Sequence, residues 1–345
     1  MEVQASPAIK IRCPSSVTQN YWAIEEQIQK TTYAVPFLAA LMAVASAKRI
    51  EKRELFEFLS SKVSALPTIL EKTFASLLEK KIILPITELN ASHAGIKKWK
   101  KSGWADAADY HFFTWDAPFL DYSKEGGGHE IDRKKMTRFQ SLQPDIERYK
   151  KYNADLFEIP LPSLDISFAE IKRQPLSTKI QFLLSCVFGK KGEKACHWSD
   201  VPLIRRTSPS GGSRHPTEGY FLTGSLQGIE KGFYHIQTDC PSLRRISNDA
   251  SELESFGLEQ TAIGMIVLTT IFERNMYRYR EPRTFRTVHM DVGHLLASIE
   301  ALSQELGIKT AIELHMNEER ILKRISASKL EEGVMAQVIL HEGLA

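Results

Sequence analysis

Between Arg205 and Tyr220 the chain reads Arg-Arg-Thr-Ser-Pro-Ser-Gly-Gly-Ser-Arg-His-Pro-Thr-Glu-Gly-Tyr, its densest run of chemically capable side chains. Arg206 and the hydroxyls of Ser208 and Ser210 can donate to an anionic or oxygen-rich group. Gly211 and Gly212 let the backbone come close to a ligand. Pro209 and His215 complete the set. Two readings stand side by side: a loop wrapped around a polar cofactor, and an ordinary Ser/Pro/Gly connection. A second candidate group is Met276-Tyr277-Arg278-Tyr279-Arg280. Tyr279 stands between two arginines whose charge should lower its pKa, which suits a proton relay. Arg278 keeps its own proton and cannot be a base, but it can orient a carbonyl or stabilise an enolate-like charge. Further on, Arg286 either pairs with a carboxylate or approaches the cofactor. His294 either meets the cofactor or is a buried histidine bonded to Asp291.

These residues need elements to hold them. Pro175-Leu176-Ser177 opens a helix with Leu176, Ile180, Leu183, Leu184 and Val187 on one face and Gly189 at its end. Strands are expected at 219–224, 232–236, 263–271, 309–315 and 334–341, the third continuously apolar and therefore central. A helix from about Met290 to Leu306 turns Val292, Leu295, Leu296, Ile299, Leu302 and Leu306 inward. Gly293, Ala297 and Ala301 follow at four-residue spacing on another face, where a second helix can approach closely. Helices mixed with antiparallel strands in this order make an α+β layer fold.

Upstream, residues 1–20 read as a loose or weakly strand-like start. Val35–Ala47, Glu54–Val63 and a segment opening at Pro67 read as three short helices, and Lys81 to Pro85 as a strand, the outline of a winged helix-turn-helix. The third helix sets only Lys72, Lys80 and Lys81 against Glu71 and Glu79, too thin for reading a DNA groove. Residues 91–160 are aromatic-rich and should pack on the following domain as a connector. Within them, Gly126-Gly127-Gly128 is expected as a flexible break and Asp132 to Lys151 as a solvated connector or helix. The expected domains are therefore 1–90, 91–160 and 161–345.

The chain has 345 residues, 43% of them apolar, with 45 basic against 42 acidic side chains and a net charge of +3. Such balance gives no reason for a nucleic-acid or membrane partner. With neither a signal pattern nor a long apolar run, a cytoplasmic protein is expected. The four cysteines lack metal or redox spacing. Cys196-His197 has no second ligand pair nearby, as zinc would need.

Arg206 to Glu218 resembles the Arg-x-Ser-Pro-Ser-(Gly/Ala)-Gly-x-x-His-Pro-x-Glu motif of the flavin-dependent azoline dehydrogenases, the streptolysin- and microcin-type peptide oxidases of the nitroreductase superfamily. Phe272 to Arg280, Phe285-Arg286 and Asp291-Val292-Gly293-His294 match the same family, as do Gly103 to His111 and Phe119 to Tyr122. The resemblance implies a nitroreductase-like fold, FMN along the serine-glycine loop, and a homodimer built around the Gly293–Leu306 helix. It also implies oxidation of thiazolines or oxazolines in a ribosomally made peptide, with electrons passing through flavin to oxygen. The peptide would carry a leader held by the winged-helix-like module, and a partner cyclodehydratase would have closed its rings. Catalysis then falls to Tyr279 and Arg278, and cofactor binding to Arg206, Ser208, Pro209, Ser210, Gly211, Gly212, His215, Arg286 and His294, with no metal.

Two departures from the family keep other readings in play. Arg278 stands where the family has lysine. The phosphate-binding arginine segment is reduced to Lys172 and Arg173, with Arg205 and Arg206 as further cations. A flavoenzyme with another peptide substrate, or a non-catalytic peptide-binding partner, fits the same residues.

Overall fold

The computed structural model describes residues 1–14, 21–116, 119–143, 146–152, 157–199, 201–224, 226–247 and 262–343. Parts of the 1–20 and 91–160 segments thus lie outside the described residues. Two compact units divide the chain, Met1–Pro118 and Phe119–Ala345. The division falls inside the expected 91–160 connector.

The first unit contains β1 (Glu2–Ala5), β2 (Ile9–Arg12), β3 (Trp22–Glu26), β4 (Thr31–Val35), α1 (Phe37–Ala45), β5 (Ile50–Glu51), α2 (Lys52–Lys62), α3 (Pro67–Glu79), β6 (Ile83–Pro85), α4 (Ala91–Lys101) and α5 (Ala105–Thr114). Far from loose, β1 is the middle strand of a β5-β1-β6 sheet, and β2-β3-β4 form a second antiparallel sheet. Val3, Ile24, Met42, Leu55, Leu59, Leu70, Phe74 and Leu77 share one buried core. Asn90 caps α4 through bonds from the Ser92 and His93 amides.

The second unit opens with α6 (Gly128–Leu142), β7 (Glu158–Pro160), α7 (Phe168–Ile171), α8 (Leu176–Phe188), β8 (Gly192–Lys194), β9 (Leu203–Arg205), β10 (Thr217–Thr223), β11 (Gly232–Gln237) and β12 (Ser242–Ser247). It continues through β13 (Ala262–Ile271), α9 (Phe272–Tyr279), α10 (Thr284–Leu306), β14 (Ile308–Glu313), α11 (Glu318–Arg324) and β15 (Glu332–Glu342). Seven antiparallel strands run in the order β14-β15-β13-β10-β11-β12-β7. The apolar β13 lies between β10 and β15 with both faces covered, as a continuous hydrophobic strand must. Ile180, Leu183 and Val187 of α8 and Val292, Leu295 and Ile299 of α10 join one core, while Ile321 and Leu322 of α11 join Tyr220, Phe233 and Met265 in another.

Three local departures matter for the site. The helix expected from Met290 begins six residues earlier at Thr284, so Arg286 and Thr287 are helical. Gly307 ends it at φ 73, the left-handed conformation glycine adopts without strain. Gly189, by contrast, ends α8 in an extended conformation. Gly126–Gly128 is no flexible break: Gly127, at φ 63, precedes α6, and the Gly128 amide bonds the Asp121 carbonyl at 2.8 Å.

Candidate functional site

The glycine-rich loop is fastened to α10 by one carboxylate. Asp291 accepts from Ser210 Oγ at 2.7 Å and from the Gly211 amide at 3.0 Å, while Ser210 Oγ accepts from the His215 amide at 2.9 Å. Burial raises the Asp291 carboxyl above its ordinary range, and its two loop donors and the charge of His294 pull against that rise. Ser208 adds a hydroxyl contact with Ser298 at 3.0 Å. The double glycine is what lets this loop settle. A Cβ on Gly211 would collide with Thr287, and one on Gly212, already at φ 61, with the Tyr279 hydroxyl.

Behind the loop the expected ligands turn inward. Arg206 is buried, donating to the Thr217 carbonyl at 3.3 Å and Thr238 Oγ1 at 2.6 Å, and burial brings its pKa down to about 10. Its Nε has no hydrogen-bond partner. The His215 ring donates Nε2–H to the Ile204 carbonyl at 3.1 Å. Burial, aided by the Arg206 charge, lowers its pKa to about 3, so it is a neutral structural donor. The space enclosed by Arg206, Ser208, Pro209, Ser210, His215 and Asp291 is only about 10 Å³, enough for a water at most.

The outer side of the loop is open. Gly211, Tyr279, Arg283, Arg286, Thr287 and Phe119 line a cleft of about 400 Å³ with Glu281, Thr284 and Met290. Arg283 lies 4.1 Å over the Phe119 ring. A larger apolar cavity of about 680 Å³, lined by Phe272, Met276, Tyr277, Phe285, Val288 and Leu330 among others, borders the same Glu281 and Thr284. The smaller cleft holds more of the singled-out residues. His294 lies exposed on α10 with its ring unbonded to Asp291, so the buried Asp291–His294 pair does not form.

Strand β13 runs straight into α9, whose last turn carries Arg278 and Tyr279 and which Arg280 ends at φ 43. Arg278 is held elsewhere than expected. Both its terminal nitrogens bind Asp132 of α6, at 3.0 and 2.6 Å, in the bidentate geometry a guanidinium favours. It also lies 4.8 Å over the Tyr279 ring and 5.1 Å over Trp198. Orientation of a substrate carbonyl therefore does not fall to Arg278; it positions its neighbour. Tyr279 corrects a second expectation. Burial raises its pKa, and Arg278, pulling the other way, does not compensate. Tyr279 is a phenol at neutral pH.

Asp132, Thr287, Asp291 and His197 were not marked as site residues by the sequence. Asp132 sits in a charge-rich stretch that reads as solvated, yet its side chain is 2% exposed. The only sequence cue for Asp291 was its place beside Gly293 and His294.

No protein-family model matches the chain. Over 265 residues it is 31% identical to the trifolitoxin-processing protein TfxB of Rhizobium leguminosarum bv. trifolii, covering 68% of this chain and 70% of that protein. The chain belongs to the same family, the SagB/McbC-like branch of the nitroreductase superfamily. A second member of that superfamily, the nitroreductase-type protein MJ1384 of Methanocaldococcus jannaschii, is 28% identical over 174 residues, covering 45% of this chain and 83% of its own. Among solved structures, a nitroreductase-type protein of Anabaena variabilis superposes with a TM-score of 0.47 at 19% identity, over 61% of this chain and 45% of that one. The E. coli microcin synthetase McbBCD complex with truncated pro-MccB17 gives 0.41 at 14% identity, over 67% of this chain and 86% of that one.

Proposed function

We propose that this chain is an FMN-dependent dehydrogenase of a ribosomally synthesised peptide, oxidising azoline rings to azoles. One observation carries the reading: the Asp291 clamp sets Gly211 and Gly212 beside Tyr279 at a cleft that also holds Thr287, Arg283 and Arg286. A flavin mononucleotide presents a flat ring and a phosphate. The glycine backbone, the Thr287 hydroxyl and the Tyr279 phenol suit the ring, and the two guanidiniums suit the phosphate. Bound there, flavin would supply the two-electron acceptor. Ser208, Pro209, Ser210, Arg206 and His215 would support the loop from behind, and Tyr279 would donate a hydrogen bond to the substrate.

The family supports a peptide as substrate. A leader held by the Met1–Pro118 unit, acting as a winged-helix-like module, and prior ring closure by a cyclodehydratase complete the proposal, with the reaction placed in the cytoplasm. Among the described residues no helix is long and apolar enough to cross a membrane. Gly293, Ala297 and Ala301 are all exposed, a strip of small residues on which a second copy of α10 can pack in a homodimer.

A specific observation favours a second reading, a peptide-binding partner without catalysis. The cations expected to hold phosphate do not converge, since Lys172 pairs with Glu305 at 2.7 Å and Arg206 is buried. An absorption spectrum with mass identification of released cofactor separates the two. FMN at about one per chain, the stoichiometry of one cofactor site, supports the dehydrogenase. A colourless protein that takes up no added FMN leaves the binding partner.

A further inference from the structure

A dehydrogenation needs a group that takes a proton, and neither Tyr279, the expected relay, nor its charged neighbours qualify. Arg278 stays charged and is bound at both ends of its fork, and Tyr279 is held as a phenol. Asp291 is engaged by the loop. The carboxylate that holds Arg278 also holds a histidine. His197 Nε2 lies 2.9 Å from Asp132 Oδ2. Asp132 already accepts two N–H bonds from a guanidinium, as an ionised carboxylate does, and it can only accept. Nε2 must therefore carry the hydrogen, which leaves Nδ1 of neutral His197 as a bare acceptor. Nδ1 has no hydrogen-bond partner among the described residues, and the side chain is 38% exposed.

The surroundings fix this ring without closing it off. Arg133 Nε donates to the His197 carbonyl at 3.1 Å. The His129 ring meets His197 edge-on at 5.1 Å, and Tyr122 meets His129 at 4.9 Å. Tyr122 is near enough to Tyr279 to act on its charge, and Phe119, three residues earlier, lines the cleft. Contacts thus run in a chain from Tyr279 through Arg278, Asp132, His197 and His129 to Tyr122. The titratable and charged groups facing His197 are Asp132, His129 and Arg133 on α6, Arg278 on α9, and Tyr122 before α6. A metal does not account for the group: among the described residues no set of three or more His, Cys, Asp or Glu is placed to hold one.

We propose that His197, oriented by Asp132 and joined to the cleft residue Tyr279 through Arg278, is the proton acceptor of the dehydrogenation. The inference rests on the dehydrogenase reading. In the step assigned to it, a substrate C–H bond beside a carbonyl breaks, the proton goes to Nδ1, and the electron pair stays on the substrate. The flavin proposed above is the oxidant of the full reaction. Asp132 is the positioning residue, stabilising the imidazolium as the carboxylate of a hydrolase triad does.

The test uses a small thiazoline carboxamide in heavy water, with exchange of the ring hydrogen beside the carboxamide followed by proton NMR. The protein is full length and stripped of flavin. Exchange is expected to rise with pH. His197→Gln should lower it on the order of 10²-fold and flatten the profile. Asp132→Asn should lower it less and shift the profile, and the exposed His315→Gln should leave it as in the wild type. Exchange by His197→Gln at the wild-type rate overturns the proposal. Oxidation of the thiazoline by flavin-loaded protein with no exchange by the stripped protein overturns it too, while sparing the dehydrogenase reading. Exchange dependent on His197 without oxidation keeps the proton acceptor and removes the azoline reaction. Nitrogen NMR of the wild type checks the assignment without any variant: a neutral His197 ring carrying its hydrogen on Nδ1 refutes it.

Discussion

Glu218 and Asp132 each gather one arginine of α9 and one histidine, yet the two trios differ in access. Glu218 Oε2 meets His235 Nε2 at 2.8 Å, and Arg274 Nη1 lies 2.6 Å from Oε1 in an ion pair whose angle falls short of a hydrogen bond. None of the three side chains is more than 3% exposed. Arg274 also donates to the His215 carbonyl at 3.1 Å, tying this trio to the end of the glycine loop. Asp132 repeats the pattern with Arg278 and His197, but its histidine opens outward. The same residue types build architecture where all faces are sealed. Each histidine leaves Nδ1 unpartnered, but only where that ring is open to solvent does the trio acquire a chemical capacity.

The largest expected effect comes from breaking the sealed trio. Glu218→Gln leaves Arg274 and the nearby Arg206 without their counter-charge and should cost about 3–5 kcal/mol in urea denaturation. Asp132→Asn, at the half-open trio, should cost less stability and more activity. Equal stability losses in the two would erase the distinction.

Acid should strike the sealed side first. Burial pushes the Glu218 carboxyl up, but Arg274, His235 and Arg206 outweigh it and leave it far below the usual carboxylate range. His215 is lowered from 6.5 to about 3. Both folded values lie beneath the unfolded ones, so as pH falls the unfolded chain takes up protons first. Stability should hold above 6.5, the ordinary value of His215, and then erode toward its folded value of about 3, with Glu218 adding to the loss below its ordinary 4.5. Each group contributes up to about 1.4 kcal/mol per pH unit. Asp291, raised by burial, opposes part of this decline. Thermal melts across this window measure the slope, and His215→Asn should flatten its upper part.

On the open side, Tyr279→Phe should slow dehydrogenation on the order of 10²-fold, the range for loss of a positioned proton-bearing group. Its pH profile should keep the imidazole limb. Loss of that limb would return the proton chemistry to tyrosine. The smallest effect belongs to His294→Ala, at an exposed position, which should change stability by no more than about 0.5 kcal/mol.

Much of this was legible in the chain. The continuous run Ile263 to Ile271 announced a central strand, and the spacing from Val292 to Leu306 announced the helix beneath the sheet, because burial leaves a periodic trace. The loop motif marked Ser210, Gly211 and Gly212 as special, and all three are needed for the contacts they make. What periodicity does not record is who pairs with whom. Asp132 lies 146 residues before Arg278, amid charges that read as solvated, and only folding shows that its carboxylate is buried. Tyr279 failed in a different way. Flanking arginines predict a lowered pKa, whereas one of them is neutralised by Asp132 and burial decides the sign.

Arg274 and Arg278 stand one turn apart on α9, about 6 Å along its axis, and each is pinned to a different part of the unit. A rod fixed at two such points can neither roll nor slide. A one-residue insertion or deletion between them would turn one guanidinium by about 100° relative to the other, so that both carboxylates could no longer be met at once. The length of α9 is therefore a dimension of the site, set like the distance between the teeth of a key.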